Sequence, residues 1–594
     1  MTSSDRATVY QQRKDLFSAE LSKQEQVINR ISILRLITAL AVLLFIYLSF
    51  RDTLYLAALL ASILAFTALV RRHTTLFREK VIKENLLKIN SAELAAMKGD
   101  FSAQPFGTEF INTRHAYSYD LDIFGEGSLF QFINRASTFS GKQALADCLT
   151  TPLPSAEEIQ QQQQAIAELS TKVDFRQRLQ AMGMDSKETK ESKQQLLEWL
   201  KRPSLFASQT FWKVLLVILP LATIGLGVTA FFLPAFKPFA ILLVLVQWGI
   251  TGFYFKRINV FHDYVSRKRS VLDQYSDLLK VINAETFESA KLQQLSATTH
   301  QAEAKIAHLA DLVRALDARL NFMTNLVVNS LLMYDLQCVY RLEQWKEKNA
   351  HALESWLTAV SEMEMLNSFG TYACNHPSYS FAIIQSQLSI TADGMGHPLL
   401  EDGVCVVNDV AMGTPQKALI VTGANMAGKS TFLRTLGINL VLALNGAPVF
   451  AKKFACPLVG LRTGMRTADS LKDHQSYFYA ELNRLHAITE ELREQRPLLI
   501  LLDEILKGTN STDKQAGSIA LVKQLLNFPC LAIIATHDLA LGELEQQFPS
   551  QVINYHFEPT IENDELSFDY TLKRGIAEKM NATFLMKKMG IIPS

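Results

Sequence analysis

The eight residues that run from Gly423 to Ser430 constrain the fold of this chain more than any other segment. They read GANMAGKS and match the pattern G-x-x-x-x-G-K-[ST]. An apolar run of strand length, 418–421, precedes them, and a helical pattern over 431–440 follows. This order of strand, loop and helix predicts an α/β domain in which backbone N–H groups of the loop bind phosphate oxygens. Lys429 is expected to reach the β and γ phosphates, and Ser430 to hold Mg²⁺.

Two further apolar runs end in residues suited to phosphate chemistry. Residues 497–502 lead into Asp503 and Glu504, and 530–536 lead into His537. Buried strands of this kind fit the centre of a parallel sheet, where ligands bind at the carboxyl edge. Asp503 is expected to reach Mg²⁺ through water, Glu504 to polarise the attacking water and His537 to sense the γ phosphate. Alone, the acids could cap a helix and the histidine could be structural, but the order is typical of ABC-type ATPases and predicts ATP binding.

The sequence of these segments resembles the ATPase domain of the MutS family. The resemblance rests on TGANMAGKSTFLR, SYFYAEL, LLDEILKGTNSTD and ATHDLAL, and it extends upstream to residue 397 and downstream to residue 591. It implies that Asn425 joins the phosphate loop and that Ser476 serves the nucleotide of a partner subunit. A site shared in this way implies a homodimer through the ATPase domain. The motif and the resemblance together give these nucleotide-binding residues: Gly423, Asn425, Met426, Ala427, Gly428, Lys429, Ser430, Thr431 and Ser476.

Two features depart from the family pattern. Ala424 and Ala427 stand where the family usually has Pro and Gly, although the two essential glycines of the loop are kept. Cys405 or Val406 replaces an aromatic residue that stacks on adenine in the family. The resemblance therefore implies ATP with Mg²⁺ as the ligand but leaves the selectivity between ATP and GTP open.

Four apolar stretches form two closely spaced pairs. The first pair is 31–50 and 54–70, and the second is 214–232 and 238–255. Each stretch has about 17–20 residues, which is enough to cross a hydrocarbon layer of ~30 Å. Core helices of soluble domains usually carry a polar face, and these stretches carry almost none. They predict two transmembrane hairpins in contact with membrane lipid, and buried core helices are the alternative.

Basic residues mark the outer ends of both hairpins, whereas the tight turns carry only Arg51 and Lys237. By the positive-inside tendency, both termini and the ATPase domain are expected in the cytoplasm, with the chain a multi-pass protein of the inner (cytoplasmic) membrane. The basic residues at the outer ends are Arg30, Arg35, Arg71, Arg72, Lys201, Arg202, Lys213, Lys256 and Arg257.

The predicted fold class is an α/β P-loop ATPase domain of the ABC type at the C terminus, an α-helical MutS-like core or lever domain, and two transmembrane helical hairpins. The predicted parts are a cytoplasmic N-terminal helix 1–30, transmembrane hairpin one 31–72, the first part of the core or lever 73–210, transmembrane hairpin two 211–256, the second part of the lever 257–370 and the ATPase domain 371–594.

The middle of the chain supports the assignment of a lever domain. Residues 113–169 resemble the start of the MutS core, in which a strand-like entry feeds helices. A helix is predicted to begin at Ser155, with the glutamine run 160–164 in its solvated part. Residues 259–366 contain few helix breakers and a helical spacing of apolar residues, which predicts long packed helices.

Composition limits the partners and the chemistry. Lys and Arg number 59 against 58 Asp and Glu, so the net charge of +1 gives no general attraction to a polyanion. The six cysteines are scattered without a C-x-x-C pair, which indicates reduced thiols and argues against a zinc site.

Two functions are compatible with these features. The first is a membrane-anchored MutS-family ATPase that binds and hydrolyses ATP and couples hydrolysis to motion of the lever helices, extending to DNA binding like that of mismatch repair. The alternative is a membrane-tethered ATPase switch that acts on a protein or membrane partner without DNA. Family resemblance alone supports DNA as a partner, because the hairpins stand where the family has its mismatch-reading and clamp domains and no basic stripe or helix-turn-helix is recognisable.

Overall fold

The structure is a computed structural model, and it describes residues 3–204, 206, 210–265, 269–320, 322–400, 403–424, 426–466, 477–562, 565–577 and 591–592. A long helical region comes first and an α/β region with mixed sheets follows, as the sequence predicts. The helices of the first region are α1 (Ser3–Ser49), α2 (Tyr55–Ala96), α3 (Leu129–Ile133), α4 (Phe139–Thr150), α5 (Ala156–Thr171), α6 (Val173–Gly183), α7 (Lys190–Lys201), α8 (Thr210–Phe232), α9 (Lys237–Val265), α10 (Arg269–Asn283), α11 (Ala290–Thr299), α12 (Ala302–Asp317), α13 (Phe322–Leu332) and α14 (Tyr334–Asn375).

Helices α1 and α2 form an antiparallel hairpin that extends well beyond its apolar part. α1 is continuous across residue 30 and α2 continues past residue 72, because a change from apolar to charged side chains alters the surface of a helix without breaking its backbone. In the charged part, Lys80 pairs with Glu25 at 2.8 Å between the two helices. Hairpin one therefore consists of an apolar tip and a charged stalk.

The base of this stalk is attached to the C-terminal end of α14. Arg6 Nη1 donates to the carbonyl oxygen of Cys374 at 2.8 Å, and the Tyr10 hydroxyl donates to Asn375 Oδ1 at 2.8 Å. Asn375 Nδ2 in turn donates to Glu93 Oε2 on α2 at 2.9 Å. Both helices of hairpin one are thus bonded to the residues that lead into the α/β region.

Helices α8 and α9 form hairpin two, which rises directly from the helical core. At its base the rings of Phe206, Trp212 and Tyr254 pack edge to face, with centroids 4.9 to 5.2 Å apart. Between the two helices, Gln247 Nε2 donates to Thr223 Oγ1 at 2.6 Å, and both side chains are buried. These two polar side chains therefore point inward.

The remaining helices pack around α14. α5 begins where the sequence predicts, because the Ser155 hydroxyl accepts a hydrogen bond from the N–H of Glu158. The prediction that the glutamine run is solvated is wrong at Gln162, which is buried because α5 packs against α14 and Gln162 donates to the carbonyl oxygen of Asn445 at 2.9 Å. The expected strand-like entry is also wrong, since 113–128 forms turns and bends.

The α/β region contains a six-stranded sheet of order β14-β11-β5-β10-β9-β8, in which only β14 is antiparallel to its neighbour. A four-stranded sheet of order β2-β7-β3-β4 and two strand pairs accompany it. The elements are β1 (Ser380–Phe381), β2 (Ile383–Gln385), β3 (Ser389–Met395), β4 (Asn408–Gly413), β5 (Ala418–Gly423), α15 (Lys429–Leu444), β6 (Pro448–Val449), β7 (Lys453–Pro457), β8 (Gly460–Gly464), α16 (Tyr477–Arg493), β9 (Leu498–Asp503), α17 (Ser511–Leu525), β10 (Cys530–Thr536), α18 (Leu544–Gln547), β11 (Val552–Phe557), β12 (Pro559–Glu562), β13 (Glu565–Phe568) and β14 (Lys573–Arg574).

The central strands are apolar throughout because both faces of the large sheet are covered. On one face, Leu419 and Leu501 join the core that includes α15 and the lever helices. On the other face, Ile420 and Ile500 join a second core with α16 and α17. This burial holds β5, β9 and β10 side by side, so their carboxyl ends lie at one edge.

Candidate active site

The phosphate-loop motif leaves β5 through backbone conformations that only glycine adopts easily. Gly423 has a φ of 146°, and a Cβ atom there would lie 2.5 Å from the carbonyl oxygen of Phe557. Gly428 has a φ of 107° and caps the N terminus of α15. Both glycines are therefore required by the geometry of the loop, whereas Ala424 and Ala427 are buried and fit without a glycine.

Lys429 is the first residue of α15, and its side chain is buried beneath the loop. Its Nζ donates to the carbonyl oxygens of Gly423 and Ala424, at 2.7 and 2.8 Å. Burial lowers the pKa of this amine, and the nearby carboxylates of Glu504 and Asp503 oppose that effect. The cation is thus held inside the loop, where the sequence predicts phosphates to bind.

Ser430 and Asp503 meet at the carboxyl edge of the sheet although 73 residues separate them in sequence. The Ser430 hydroxyl donates to Asp503 Oδ2 at 2.5 Å. β10 lies between β5 and β9, and Ala535 on it pairs with both Val421 and Asp503. The order of the strands therefore brings the two predicted Mg²⁺ ligands into contact.

Glu504 and His537 follow β9 and β10 and lie beside each other. Glu504 has a φ of 54°, and its N–H donates to the carbonyl oxygen of Ala535 at 2.9 Å. Its Oε1 lies 3.3 Å from His537 Nδ1, and its Oε2 lies 3.6 Å from Lys507 Nζ. Burial raises the pKa of Glu504, but Lys507, the hydrogen bond with His537 and Lys429 together outweigh it and hold the pKa below its ordinary value. The carboxylate is therefore ionised at neutral pH, as a group that polarises water must be.

A cavity of about 450 Å³ adjoins the phosphate loop, within the size range of small-molecule sites. Lys429 and Glu504 stand at its polar end, and Cys405 and Val406 line its apolar end. The cavity thus combines a charged region with an apolar region, as a nucleotide requires.

Tyr570 also lines this cavity, and the sequence reasoning did not select it. It has a φ of 51° and stacks on Phe568, with ring centroids 5.9 Å apart. Asn408 fixes the segment, since its Nδ2 donates to the Tyr570 carbonyl and its Oδ1 accepts from the N–H of Leu572. An aromatic ring is therefore present beside Gly428, although it comes from a different segment than Cys405 and Val406. The stretch YTLKRGIA was a visible signal for it.

The other predicted nucleotide-binding residues differ in their exposure to solvent. Met426 is exposed at the tip of the loop and also lines the cavity, Ala427 is buried and Thr431 is exposed on α15. Asn425 and Ser476 lie outside the described residues, so their expected roles remain predictions.

The oxygen atoms at this edge suit Mg²⁺. In the described ranges, no group of three or more His, Cys, Asp or Glu side chains could hold a metal ion by itself. Mg²⁺ usually takes one or two carboxylates together with substrate phosphates and water. The hydroxyl of Ser430 beside the carboxylate of Asp503, at the mouth of a phosphate loop, fits that ligand preference.

A segment of the helical region is anchored directly beside this site, and sequence reasoning missed it. Asp120 is fully buried and accepts hydrogen bonds from the Thr463 hydroxyl at 2.7 Å and from the N–H of Met465 at 3.0 Å. It also pairs with Arg484 of α16 at 3.0 Å. The edge strand β8 and α16 are therefore joined to the chain that enters α3.

Comparison with known proteins agrees with this arrangement. The profile of the family described as MutS domain V matches residues 419–593. Residues 419–593 form a MutS domain V. MutS domain V is an ABC-type ATPase domain, so the enzyme class predicted from the sequence is confirmed for this part of the chain.

Individual relatives show how far the similarity reaches. The DNA mismatch repair protein MutS of Thermotoga petrophila is 31% identical over 242 residues, which are 40% of this chain and 30% of the relative. That of Chlorobaculum parvum is 30% identical over 252 residues, 41% of this chain and 28% of the relative. MutS protein homolog 4 of Mus musculus is 26% identical over 334 residues, 54% of this chain and 31% of the relative. The chain thus spans less than a third of the length of each, and outside MutS domain V the relationship is distant.

Proposed function

We propose that this protein is a membrane-anchored ATPase that hydrolyses Mg·ATP in its MutS domain V and transmits the nucleotide state to the lever helices. The observation that carries the proposal is the contact of Ser430 with Asp503, flanked by Glu504 and His537 on neighbouring strand ends. These groups come from three separate segments, and their convergence matches the requirements of phosphoryl transfer to water.

Each residue has a distinct role in this proposal. Lys429 and the N–H groups of the loop would bind the phosphates, and Ser430 and Asp503 would hold Mg²⁺, which would supply positive charge that stabilises the phosphates. Glu504, ionised at neutral pH, orients and polarises the attacking water. His537 contacts Glu504 and would sense the presence of the γ phosphate. Ser476 of a partner subunit would complete the site in a homodimer.

The proposal of membrane anchorage rests on helices that expose apolar side chains and bury polar ones, the opposite of the pattern in a soluble protein. Four helices of the described chain, α1, α2, α8 and α9, are long and apolar enough to cross a membrane by length and composition. Apolar side chains such as Leu43 and Leu245 are exposed on them, while Gln247 and Thr223 are buried between α8 and α9. A large exposed apolar surface around a polar interior suits lipid and not water.

The attachment of the two hairpins fits a lever beneath a membrane. Hairpin one is bonded to Cys374 at the C-terminal end of α14, whereas Gln337 near its N-terminal end donates to the carbonyl oxygen of Leu216 in hairpin two at 3.2 Å. α14 has 42 residues and is about 63 Å long. The stalk of hairpin one, at about 42 Å for residues 3–30, is shorter than α14, so both tips enter the same bilayer only where α14 is inclined to the membrane normal.

Two substitutions test the ATPase proposal in the full-length protein purified in detergent. Lys429→Ala should abolish binding of a fluorescent ATP analogue, because Lys429 is the only cation beneath the loop among the residues that the structure describes. Glu504→Gln should keep binding and stop phosphate release, since the amide cannot polarise water. Glu494→Gln, an exposed residue paired with Arg496, is the matched control. Undiminished phosphate release by Glu504→Gln would remove the assignment of the water-activating carboxylate.

Anchorage is tested separately by fractionation. The protein should remain in the membrane pellet after extraction with high salt and alkaline carbonate, and it should dissolve in detergent. Release by carbonate would refute the hairpins as membrane spans without affecting the ATPase proposal.

DNA binding is a second candidate, favoured by the similarity to two bacterial relatives that are DNA mismatch repair proteins. Titration of homoduplex and mismatched duplex across a salt series tests it, because phosphate contacts must weaken as salt rises. Absence of binding at low salt would favour the alternative, a switch that acts on a protein or membrane partner.

A further inference from the structure

Helix α13 shows the same reversed burial as hairpin two, although it lies outside the apolar stretches recognised in the sequence. Its eleven residues, FMTNLVVNSLL, include no charged side chain. Val327 is 56% exposed and Leu331 is 41% exposed, whereas the polar Asn329 is only 7% exposed. A helix that faces water exposes polar side chains and buries apolar ones. The outward face of α13 is therefore suited to an apolar environment.

The two polar side chains of α13 that the structure describes, Asn329 and Ser330, are hydrogen-bonded to neighbouring parts of the protein. Asn329 Oδ1 accepts a hydrogen bond from the N–H of Asp335 at 2.9 Å. The Ser330 hydroxyl accepts one from Trp248 Nε1 of α9 at 2.8 Å. These bonds connect Asn329 to the start of α14 and Ser330 to α9, and they leave Val327 and Leu331, one helical turn apart, exposed.

Contacts with α9 indicate the depth at which α13 would lie. Phe255 is at the cytoplasmic end of the apolar stretch, and Trp248 is seven residues before it. Trp248 therefore lies about 10 Å along the helix from that end. The Arg319 guanidinium lies over the Phe255 ring, 5.7 Å from its centroid, and pairs with Asp335 at 3.0 Å. Charged groups thus flank α13 at the level where the apolar stretch ends, while Ser330 bonds to a residue farther inside it.

We propose that α13 is a third membrane-contacting element, seated in the cytoplasmic leaflet against hairpin two, with lipid acyl chains covering Val327 and Leu331. The inference rests on the proposed anchorage of hairpin two in a membrane. Its support is the contact of exposed Trp248 on α9 with Ser330 on α13, together with the exposure of Val327 and Leu331 and the burial of Asn329. Lipid is favoured over a protein partner because the described part of this face presents no charged group that would orient a partner.

The position of α13 gives it a functional meaning. Met333, with a φ of 50°, turns the chain directly from α13 into α14, and α14 ends at Asn375 beside the stalk of hairpin one. The long lever helix would therefore begin at the membrane surface. Movement of α14 during the ATPase cycle would be transmitted to the bilayer through α13 as well as through the hairpins.

Site-specific fluorescence in lipid vesicles tests this placement. Val327→Cys and Leu331→Cys are made in full-length protein in which Cys148, Cys374 and Cys405 are serine, since the other three thiols are buried. Each variant is labelled with an environment-sensitive dye and reconstituted in phosphatidylcholine vesicles with or without a lipid that carries a nitroxide on its acyl chain. Leu245→Cys, exposed on α9, is the reference for a membrane span, and Ala297→Cys, exposed on α11, is the aqueous reference.

The expected result is blue-shifted emission at 327 and 331 and quenching by the nitroxide lipid close to that of the Leu245 variant. Strong quenching at 245 with water-like emission at 327 and 331 would overturn the proposal and leave membrane anchorage intact. Blue-shifted emission without quenching would also overturn it, because protein and not lipid would then cover this face. Water-like emission at 245 as well would refute the anchorage on which the inference rests.

Discussion

Asp122 accepts a hydrogen bond from Arg434 at 2.7 Å and so joins the lever region to the phosphate-loop helix. Arg434 is five residues after Lys429 on α15, and Asp122 belongs to the turns that lead into α3. The same carboxylate accepts two hydrogen bonds from Arg466, at 2.5 and 3.0 Å, just before the segment that contains Ser476. One side chain is therefore bonded both to α15 and to the residue that follows β8.

The first prediction is that Asp122→Asn uncouples the lever from the nucleotide with little loss of stability. The amide keeps the shape but loses the charge, and ion pairs that are partly exposed contribute up to about 1 kcal/mol each. We expect ATP binding to persist while the ATP-dependent change in hydrogen exchange of α14 is lost. Hydrogen–deuterium exchange with and without nucleotide measures this change.

Asp174→Asn is the matched control for this experiment. Asp174 pairs with Arg13 at 2.7 Å on the stalk of hairpin one, far along the chain from the phosphate loop, and it is largely exposed. This control should respond to ATP as the natural protein does. A normal ATP response of α14 in Asp122→Asn would show that Asp122 is not part of the coupling.

The parts that could be predicted from sequence are those that depend on local pattern. β5, β9 and β10 were predictable because a strand covered on both faces is a short, continuous apolar run, and because parallel strands place Ser430 and Asp503 at one edge. The extent of α1 was not predictable in this way, since hydropathy marks where the surface changes and not where a helix ends. Asp122 and Arg434 are 312 residues apart, and no local pattern links them.

The second prediction is that Tyr570→Ala weakens nucleotide binding. Its ring lines the cavity beside Gly428, and stacking of a base on an aromatic side chain contributes about 1–3 kcal/mol, or roughly 5- to 150-fold in affinity. Tyr570→Phe keeps the ring and should bind nearly as well as the natural protein. Titration with fluorescent ATP and GTP analogues measures both affinities, and equal affinity of the Ala and Phe variants would exclude a stacking role.

The third prediction concerns stability in acid. His376 packs among Phe132, Tyr372 and Tyr379, and burial, with Arg6 and Arg135 nearby, lowers its pKa to about 3. The unfolded chain takes up a proton below about pH 6.5, whereas the folded protein does not until about pH 3. Through this histidine the protein loses no stability above about pH 6.5. The loss grows as the pH falls toward 3, and near pH 5 the free energy of unfolding is lower by about 2 kcal/mol.

Thermal unfolding in detergent at neutral pH and near pH 5 measures this effect. His376→Phe keeps an aromatic ring in the cluster but cannot take up a proton, so its melting temperature should fall less on acidification than that of the natural protein. His486→Asn, at an exposed site on α16, should leave the acid sensitivity unchanged. If His376→Phe loses as much stability in acid as the natural protein, other groups must account for the effect.

The fourth prediction is that the members of the glutamine run differ sharply in their contribution to stability. Gln162 bridges the lever and MutS domain V, because its Nε2 donates to the carbonyl oxygen of Asn445 at 2.9 Å and its Oε1 accepts from Lys291 Nζ at 2.7 Å. Gln162→Ala would remove the buried donor to the Asn445 carbonyl oxygen, whereas Lys291 would keep its pair with Glu362 at 3.0 Å, and should lower the free energy of unfolding by about 1–3 kcal/mol. Gln164→Ala, on the exposed face of the same helix, should change it little, and equal unfolding midpoints in urea for the two variants would contradict the prediction.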